Sequence, residues 1–457
     1  MTLWTPKILD GTDPVYLTIA DAIARDMETG QLQSGDRLPP QRKLADLLGL
    51  DFTTVSRSYK EAARRGLVES HVGRGTFIRG AQKVDGREND PVRSAQVDLM
   101  MNLPPEPDDP DLIDRMRGGL VDVSANMVSL LRYQSGVGSD KDKEAASVWL
   151  SMRGMVPRLE RVAITPGAHP AIMAALDVLT TPGDTIVCEA VTYSGIRNIC
   201  KHMRLNLIGL AFDDCGILPD ALSEAIASNG PKALYLNPTL NNPTTRTMTT
   251  DRRMAIADIL RRHQLPLIED DAYGFVPARA PAPLATMVPD LTWHIGGLAK
   301  CIGAGLRLAY VVSPDSRQAL SLEQSIKTMA VMASPMTMAI VTRWITDGTA
   351  DRIRRFVRKE ASARQKIAAQ CLPNASFVSD PEAFNIWLTL PHGWHRADIM
   401  ARMAGRGLGI VPSDAFVVSG PAKEQLRICL GGPIARHQLR EALEFLGHTL
   451  DYGLWAE

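Results

Sequence analysis

No two of the six cysteines (Cys188, Cys200, Cys215, Cys301, Cys371 and Cys429) form a Cys-x-x-Cys pair. That argues against a disulfide frame or a zinc ribbon, leaves no metal site to expect, and points to a reducing cytoplasm. The opening "MTLWTPKILDG" lacks a basic segment followed by an apolar run, so no signal peptide is expected. Long hydrophobic runs are also missing. The most apolar stretch, "TMAVMASPMTMAIV" (Thr328–Val341), is short and broken by Ser334-Pro335. It reads as a Met-rich core helix or a subunit contact, and it gives no reason to expect a membrane partner. There is no Gly-x₄-Gly-Lys-Ser/Thr, and no Gly-x-Gly-x-x-Gly after a first strand, so neither nucleotide fold is supported. Internal repeats are absent.

What is present is ordinary in bulk. The chain has 457 residues, 45% apolar and 22% charged, with 51 basic side chains against 51 acidic ones. Such a length makes more than one domain the expectation. The zero net charge rules nothing out, because a small basic module can hide in a balanced total.

The first eighty residues contain one. Asp13-Pro14 reads as a helix start, with Val15, Ile19, Ala22 and Ile23 at helical spacing and Gly30 as the stop. A second helix, Gln41–Leu48, should bury Leu44, Leu47 and Leu48 and end at Gly49. A third, Thr53–Arg65, should turn Val55, Tyr59 and Ala62 inward, with Thr53, Arg57, Lys60 and Arg64 on another side. Helix, short turn, helix is the helix-turn-helix plan, whose second helix enters a major groove. "LVESHVGRGTFIRG" then reads as two strands around a Gly73-Arg74-Gly75 tip. Residues 41–80 hold eight Lys and Arg against four acids, a local basic surface of the kind phosphate contact requires. The stretch "GDRLPPQRKLADLLGLDFTTVSRSYKEAARRGLVESHVGRGTFI" resembles the winged helix of GntR-type bacterial regulators, without a gap from Gly35 to Ile78. The resemblance implies DNA contacts at Arg42, Thr54, Arg57 and the wing around Arg74, beside Thr53 and Lys60 from the helix pattern. Arginines there can meet guanine edges or phosphates.

Residues 80–110 are polar and Pro-rich without a helical or strand period. They read as a tether, part of it docked on the larger domain beyond. From residue 111 to 457, strand-like runs alternate with amphipathic helices, the mark of an α/β fold with a mostly parallel sheet. Ligands of such sheets sit outside the carboxyl ends of the strands. "RVAITPGAHPAIMAAL" leads to Gly167, Ala168 and His169 at a helix start, where free amides can hold a phosphate. Other runs deliver Tyr193, Asn242, Asp270 with Tyr273, and Lys300 in "HIGGLAK", with Arg307 beyond.

One ligand would use the whole set: pyridoxal 5′-phosphate. Its aldehyde needs an amine, Lys300. Its ring nitrogen stays protonated beside a carboxylate, Asp270, which makes the ring an electron sink. Asn242 and Tyr273 suit its phenolic oxygen, Tyr193 its flat face, and Arg307 with the Gly167–His169 amides its phosphate. Singly, each residue has a plain structural alternative; six in register are hard to attribute to chance.

Over roughly residues 97–457 the chain resembles fold-type I aminotransferases, with a large mostly parallel sheet domain and a small C-terminal α+β domain. Joined to the winged helix, it looks like the MocR branch of the GntR regulators. That resemblance implies a homodimer with sites at the subunit boundary. It also implies that Tyr133 reaches the partner's phosphate and that Arg427 holds a substrate's α-carboxylate. For Arg427 an ordinary strand salt bridge remains open. The chain departs from the pattern where hydroxyl residues usually stand, three and one before the lysine; here they are Gly297 and Ala299. The usual glycine after Asn-Pro-Thr is Thr245, and the phosphate turn reads Pro166-Gly167-Ala168, where His169 is either a compensating donor or structural. Losing one donor to a charged group forfeits on the order of 1.5–3 kcal/mol, so efficient turnover is in doubt.

Three functions fit such a chain: a regulator sensing the cofactor or an amine or amino-acid effector that reacts with it, a working aminotransferase with a DNA-binding appendage, or a regulator whose large domain is only a scaffold. Lys300, Asp270 and Arg307 speak against the scaffold, and the winged helix speaks against a purely metabolic role. The first is favoured, with double-stranded operator DNA as partner.

Overall fold

The computed structural model of the chain describes residues 4–7, 14–33, 35–65, 67–71, 75–78, 98 and 100–452. They belong to two compact units, Met1–Gln96 and Val97–Glu457.

In the first unit, α1 (Val15–Glu28), α2 (Gln41–Leu48) and α3 (Phe52–Arg64) precede a hairpin of β1 (Val68–His71) and β2 (Gly75–Ile78). Ile19, Ile23, Leu44, Val55, Tyr59 and Ala62 close one core under the hairpin residues Val68 and Ile78. Gly49 ends α2 with φ +63°, a left-handed conformation that glycine adopts without a Cβ penalty. Asp51 caps α3 by accepting from the Thr53 amide at 2.7 Å, so the helix begins one residue earlier than its pattern suggests. Two expectations need correction. Pro14 is the residue before α1 rather than its first residue, and Asp13 lies outside the described residues. Leu47 is 52% exposed: Leu44 and Ala45 alone are buried in this two-turn helix, and a residue three past Leu44 falls on its shoulder.

The second unit takes in the C-terminal part of the Pro-rich stretch. Residues 79–97 lie outside the described residues, but Asn102, Pro104 and Pro105 are buried. The Gly432 amide donates to the Pro104 carbonyl at 3.0 Å, and Pro105 bridges Gly432 in parallel. A Pro-rich stretch shows no period because it lacks donors, yet its carbonyls still accept. Helices α4 (Pro110–Ser124), α5 (Met127–Leu130) and α6 (Asp140–Ser151) come next.

A seven-stranded sheet then organises the large domain. Its strands are β3 (Val162–Thr165), β4 (Thr185–Glu189), β5 (Asn206–Leu210), β8 (Ala233–Leu236), β9 (Leu267–Asp270), β10 (Thr292–Gly297) and β11 (Ala309–Val312), with a short β6 (Phe212–Asp213) and β7 (Gly216–Ile217) hairpin apart. The order is β3-β11-β10-β9-β8-β4-β5, and only β11 runs against its neighbours. Val162 and Ile164 pack into one apolar cluster and Ala163 into another; Tyr310 and Val312 divide from Ala309 and Val311 in the same way. Both faces are therefore covered, as a mostly parallel sheet requires. The helices α7 (Ala168–Leu179) and α8 (Ser194–His202) start at the carboxyl ends of β3 and β4. Thr328–Val341 is not one helix: it spans the end of helix Ser316–Ala330 and the start of helix Pro335–Thr346, where Met338 and Val341 are buried.

The small domain is an antiparallel sheet of β12 (Ser376–Val378), β13 (Asn385–Thr389), β14 (Ile410–Pro412) and β15 (Gln425–Cys429), in the order β12-β13-β15-β14. Ile386 and Ile428 on the sheet share a core with Ile367 and Leu443 from helices Thr349–Cys371 and Arg436–Tyr452.

Candidate functional site

The carboxyl ends of the large sheet open into a cleft of about 1200 Å³. It gathers Gly167, Ala168, His169, Tyr193, Asn242, Asp270, Tyr273, Lys300, Arg307 and Arg427. Tyr133 is not among them; it is 86% exposed.

Asp270 ends β9 and is buried. The Tyr235 hydroxyl donates to its Oδ2 at 2.7 Å, and Asn237 Nδ2 donates to its main-chain carbonyl at 2.7 Å. Its Oδ1 is buried without a hydrogen-bond partner among the described residues. Burial lifts this carboxyl to about 6, against the pull of the Tyr235 hydrogen bond. Behind it, Asp271 is held well below the usual carboxylate range by Arg153, at 2.9 Å, and by His294. Asp271 leaves no room for a side chain at residue 274, since a Cβ on Gly274 would fall 2.1 Å from its Oδ1.

Lys300 follows β10 and is half-buried within the cleft. Burial first, and then the positive charge of Arg427, lower its ammonium to about 8. Its Nζ lies 5.7 Å from the centre of the Tyr273 ring and donates to the Asn102 carbonyl. The Tyr193 ring sits over Gly195, where a Cβ would be 2.2 Å from it. Its hydroxyl is 3.5 Å from His169 Nδ1.

At the other end, β3 runs into Gly167 with φ +103° and then α7. Arg307 presses against this turn: a Cβ on Gly167 would stand 3.1 Å from Nη2. Burial and the Arg307 charge lower the His169 pKa. Gly297 and Ala299 also line the cleft and bring no hydroxyl to it.

Arg427, on β15, lies 5.1 Å from the centre of the Phe416 ring and donates to Asn242 Oδ1 at 3.1 Å and to the Met100 carbonyl. Among the described residues Arg427 makes no ion pair, although the Asp98 charge acts on it. Sequence reasoning missed Tyr235, Asn237, Asn102 and Met100. For Asn237 a signal existed, because it stands just past the strand-like run "KALYL", at a strand end.

In the first unit, Arg42, Thr53, Arg57 and Lys60 are exposed and Thr54 is half-buried. Arg42 lies 5.8 Å from the Phe52 ring centre. Arg65 instead pairs with Glu61 and Asp21. Arg74 lies outside the described residues.

Similarity to known proteins shows the same division. The family described as aminotransferase class I and II matches residues 96–446, and that of bacterial regulatory proteins of the gntR family matches residues 15–78. An uncharacterized HTH-type transcriptional regulator of Bacillus subtilis, YdeF, is 26% identical over 98% of this chain and 97% of its own length. The vitamin B6 salvage pathway transcriptional repressor PtsJ of Salmonella typhimurium is 27% identical over 90% of this chain and 93% of its own. Among solved structures, a kynurenine aminotransferase of Pyrococcus horikoshii superposes with a TM-score of 0.70 at 22% identity, over 78% of this chain and 91% of that one.

Proposed function

The chain belongs to the aminotransferase class I and II family and joins to it a GntR-type helix-turn-helix, the plan of MocR-type regulators; we propose that it is a transcriptional regulator that holds pyridoxal 5′-phosphate in the cleft and senses the cofactor or an amine or amino acid that enters. The observation that carries this reading is the orphaned Asp270 Oδ1, a buried acceptor lining the cleft. A protonated pyridine nitrogen is the donor it lacks, and leaving such an acceptor unmatched costs about 1–3 kcal/mol. Bound there, the cofactor supplies an aldehyde that condenses with amines and a ring that withdraws electrons.

This chain's residues divide the remaining work. Lys300, lowered to about 8, keeps about a tenth of its amine neutral at pH 7, far more than an ordinary lysine. Tyr235 fixes the orientation of Asp270, so that Oδ1 is the oxygen left for the ring. Arg307 and the amides at the start of α7 hold the phosphate. Arg427 receives a carboxylate. A repressor of vitamin B6 salvage among the relatives makes the cofactor itself a reasonable signal. Exposed apolar side chains on α4, α5 and α6, namely Val121, Val128 and Val148, support a homodimer, which would also give the exposed Tyr133 a partner.

The test is the visible spectrum of the full chain with added pyridoxal phosphate, followed by borohydride reduction and peptide mapping. A yellow species trapped at Lys300, and lost in Lys300→Ala, is expected; a chain that stays colourless overturns the reading. On DNA, Arg57→Ala should cost about 1–3 kcal/mol if that side chain reads a base. Sustained turnover of an amino-acid and keto-acid pair would make the chain an aminotransferase with a DNA-binding appendage instead.

A further inference from the structure

Asp98 and the segment 100–105 lie along the cleft, with Asp98, Met100, Met101, Asn102 and Leu103 lining it. Two side chains that the proposed function reserves for ligands hold this stretch by its main chain. Arg427 Nη2 donates to the Met100 carbonyl, and Lys300 Nζ donates to the Asn102 carbonyl. The Asn102 side chain is seated between the Tyr273 hydroxyl, at 3.0 Å, and Asn385 Oδ1, at 2.9 Å. Leu103 runs so close to Gly431 that a Cβ there would lie 1.8 Å from the Leu103 carbonyl oxygen. Arg427 is nonetheless poorly matched. It is buried, two of its nitrogens have only neutral acceptors, and its Nε has no partner among the described residues.

We propose that residues 100–105 are a displaceable strap, a main-chain stand-in for a ligand carboxylate at Arg427, and that an amino acid entering the cleft lifts Met100 away. The inference rests on the proposed function and adds the element that moves. A bidentate guanidinium–carboxylate pair is charge-assisted, whereas a carbonyl offers one neutral acceptor, so the exchange favours the ligand. An amine without a carboxylate has nothing with which to take Arg427. Lys300 provides a second release, because an Nζ engaged on the cofactor no longer holds Asn102. The strap continues directly into the chain that joins the two units. Freeing it releases up to roughly 20 Å of chain at the start of the second unit, at about 3.3 Å per residue. Release of the strap thus couples recognition of an α-carboxylate to the freedom of the winged-helix unit.

Hydrogen exchange on the full chain tests this, read at the amides of residues 101–103 and at Gly432, whose N–H donates to Pro104. Without ligand, Arg427→Ala and Asn102→Ala should each raise exchange there, on the order of tenfold, as local opening becomes easier. Asn102→Ala should also bind amino acids more tightly in a visible titration, because the open fraction rises. In the cofactor-loaded chain, the twenty standard amino acids are the probes. Those that change the cofactor spectrum should raise strap exchange, and their counterparts lacking the α-carboxylate, such as isopentylamine for leucine, should not. Unchanged exchange in both variants, or unchanged exchange with a spectrally active amino acid, overturns the strap while leaving the proposed function standing. So does the absence of any spectrally active amino acid. A chain that never turns yellow overturns the proposed function instead, and the Arg427→Ala measurement on the cofactor-free chain still decides whether the strap is held there.

Discussion

Around Asp270 the cleft is dense with polar groups, whereas around the β3–α7 turn it is sparse. At the first end, Tyr235 and Asn237 fix the carboxylate, and Asn237 is itself held by Glu189 Oε1, at 2.9 Å from its amide. At the second, Gly167, Ala168, Gly297 and Ala299 supply no side-chain donor, and Arg307 and His169 stand beside the turn. The two ends would meet the same ligand, the first its ring and the second its phosphate. Groups that would tune a ring are preorganised here, while the hold on a dianion would rest mainly on one charge. Such a cleft suits a protein that must release and rebind its cofactor more than one that keeps it through many cycles.

The comparison breaks most severely if Asp270 proves dispensable. Asp270→Ala should lower pyridoxal phosphate affinity by about 1.5–3 kcal/mol, the range for hydrogen bonds to charged groups, or roughly 10- to 150-fold. Visible titration of both chains measures it. An affinity unchanged by Asp270→Ala but destroyed by Arg307→Ala would place the anchor wholly at the phosphate end.

The next effect concerns pH. Burial and Arg427 bring Lys300 down to about 8. Only its neutral form attacks an aldehyde, so the rate of forming the yellow species should climb about tenfold per pH unit below pH 8 and level off above it. Stopped-flow mixing with pyridoxal phosphate across pH 6 to 10 reads this directly. In Arg427→Ala the midpoint should move upward, since a neighbouring positive charge has been removed.

Gly297→Ser sharpens the comparison from the other side. A Cβ at Gly297 would lie 3.3 Å from Ala272 Cα and 3.8 Å from Ala168 Cβ, tight but open to adjustment by a few tenths of an ångström. The new hydroxyl would stand three residues before Lys300 and supply the donor that the phosphate end lacks. Net of some strain, cofactor affinity should rise by about three- to tenfold, a fraction of the 1.5–3 kcal/mol such a hydrogen bond is worth. No gain would mean that the phosphate does not approach β10.

Much of this contrast is legible in the sequence alone. Lys300, Asp270 and Tyr193 stand out because each follows a strand-like run, and strand ends in a mostly parallel sheet converge. The missing hydroxyls at Gly297 and Ala299 are equally plain. Tyr235 is hidden because "ALYL" is buried on both faces, so alternation does not say which face meets Asp270. Asn102 and Met100 are hidden for the opposite reason. Their segment has no period, and its carbonyls, not its side chains, meet Arg427 and Lys300. In the first unit the helix pattern locates the inward face of α3, yet it over-assigns Leu47, since a two-turn helix buries too narrow a stripe for three leucines.

The smallest effect expected belongs to His169, which faces the Tyr193 hydroxyl at 3.5 Å and the charge of Arg307. Burial, and then Arg307, depress its pKa below the ordinary 6.5 in the ligand-free chain. A phosphate dianion beside it would neutralise Arg307 and attract a proton, raising that pKa on binding. Binding would then take up a proton, so affinity should increase as pH falls through the raised value and level off below the depressed one. Because the ring is half-buried and the charge shared with Arg307, the gain should be modest, about two- to threefold between pH 8 and 6. Equilibrium titration of wild type and His169→Gln at both pH values measures it, with the contribution of Lys300 common to the two chains. Equal pH dependence in both would make His169 a packing residue and leave Arg307 as the side-chain anchor of the phosphate end.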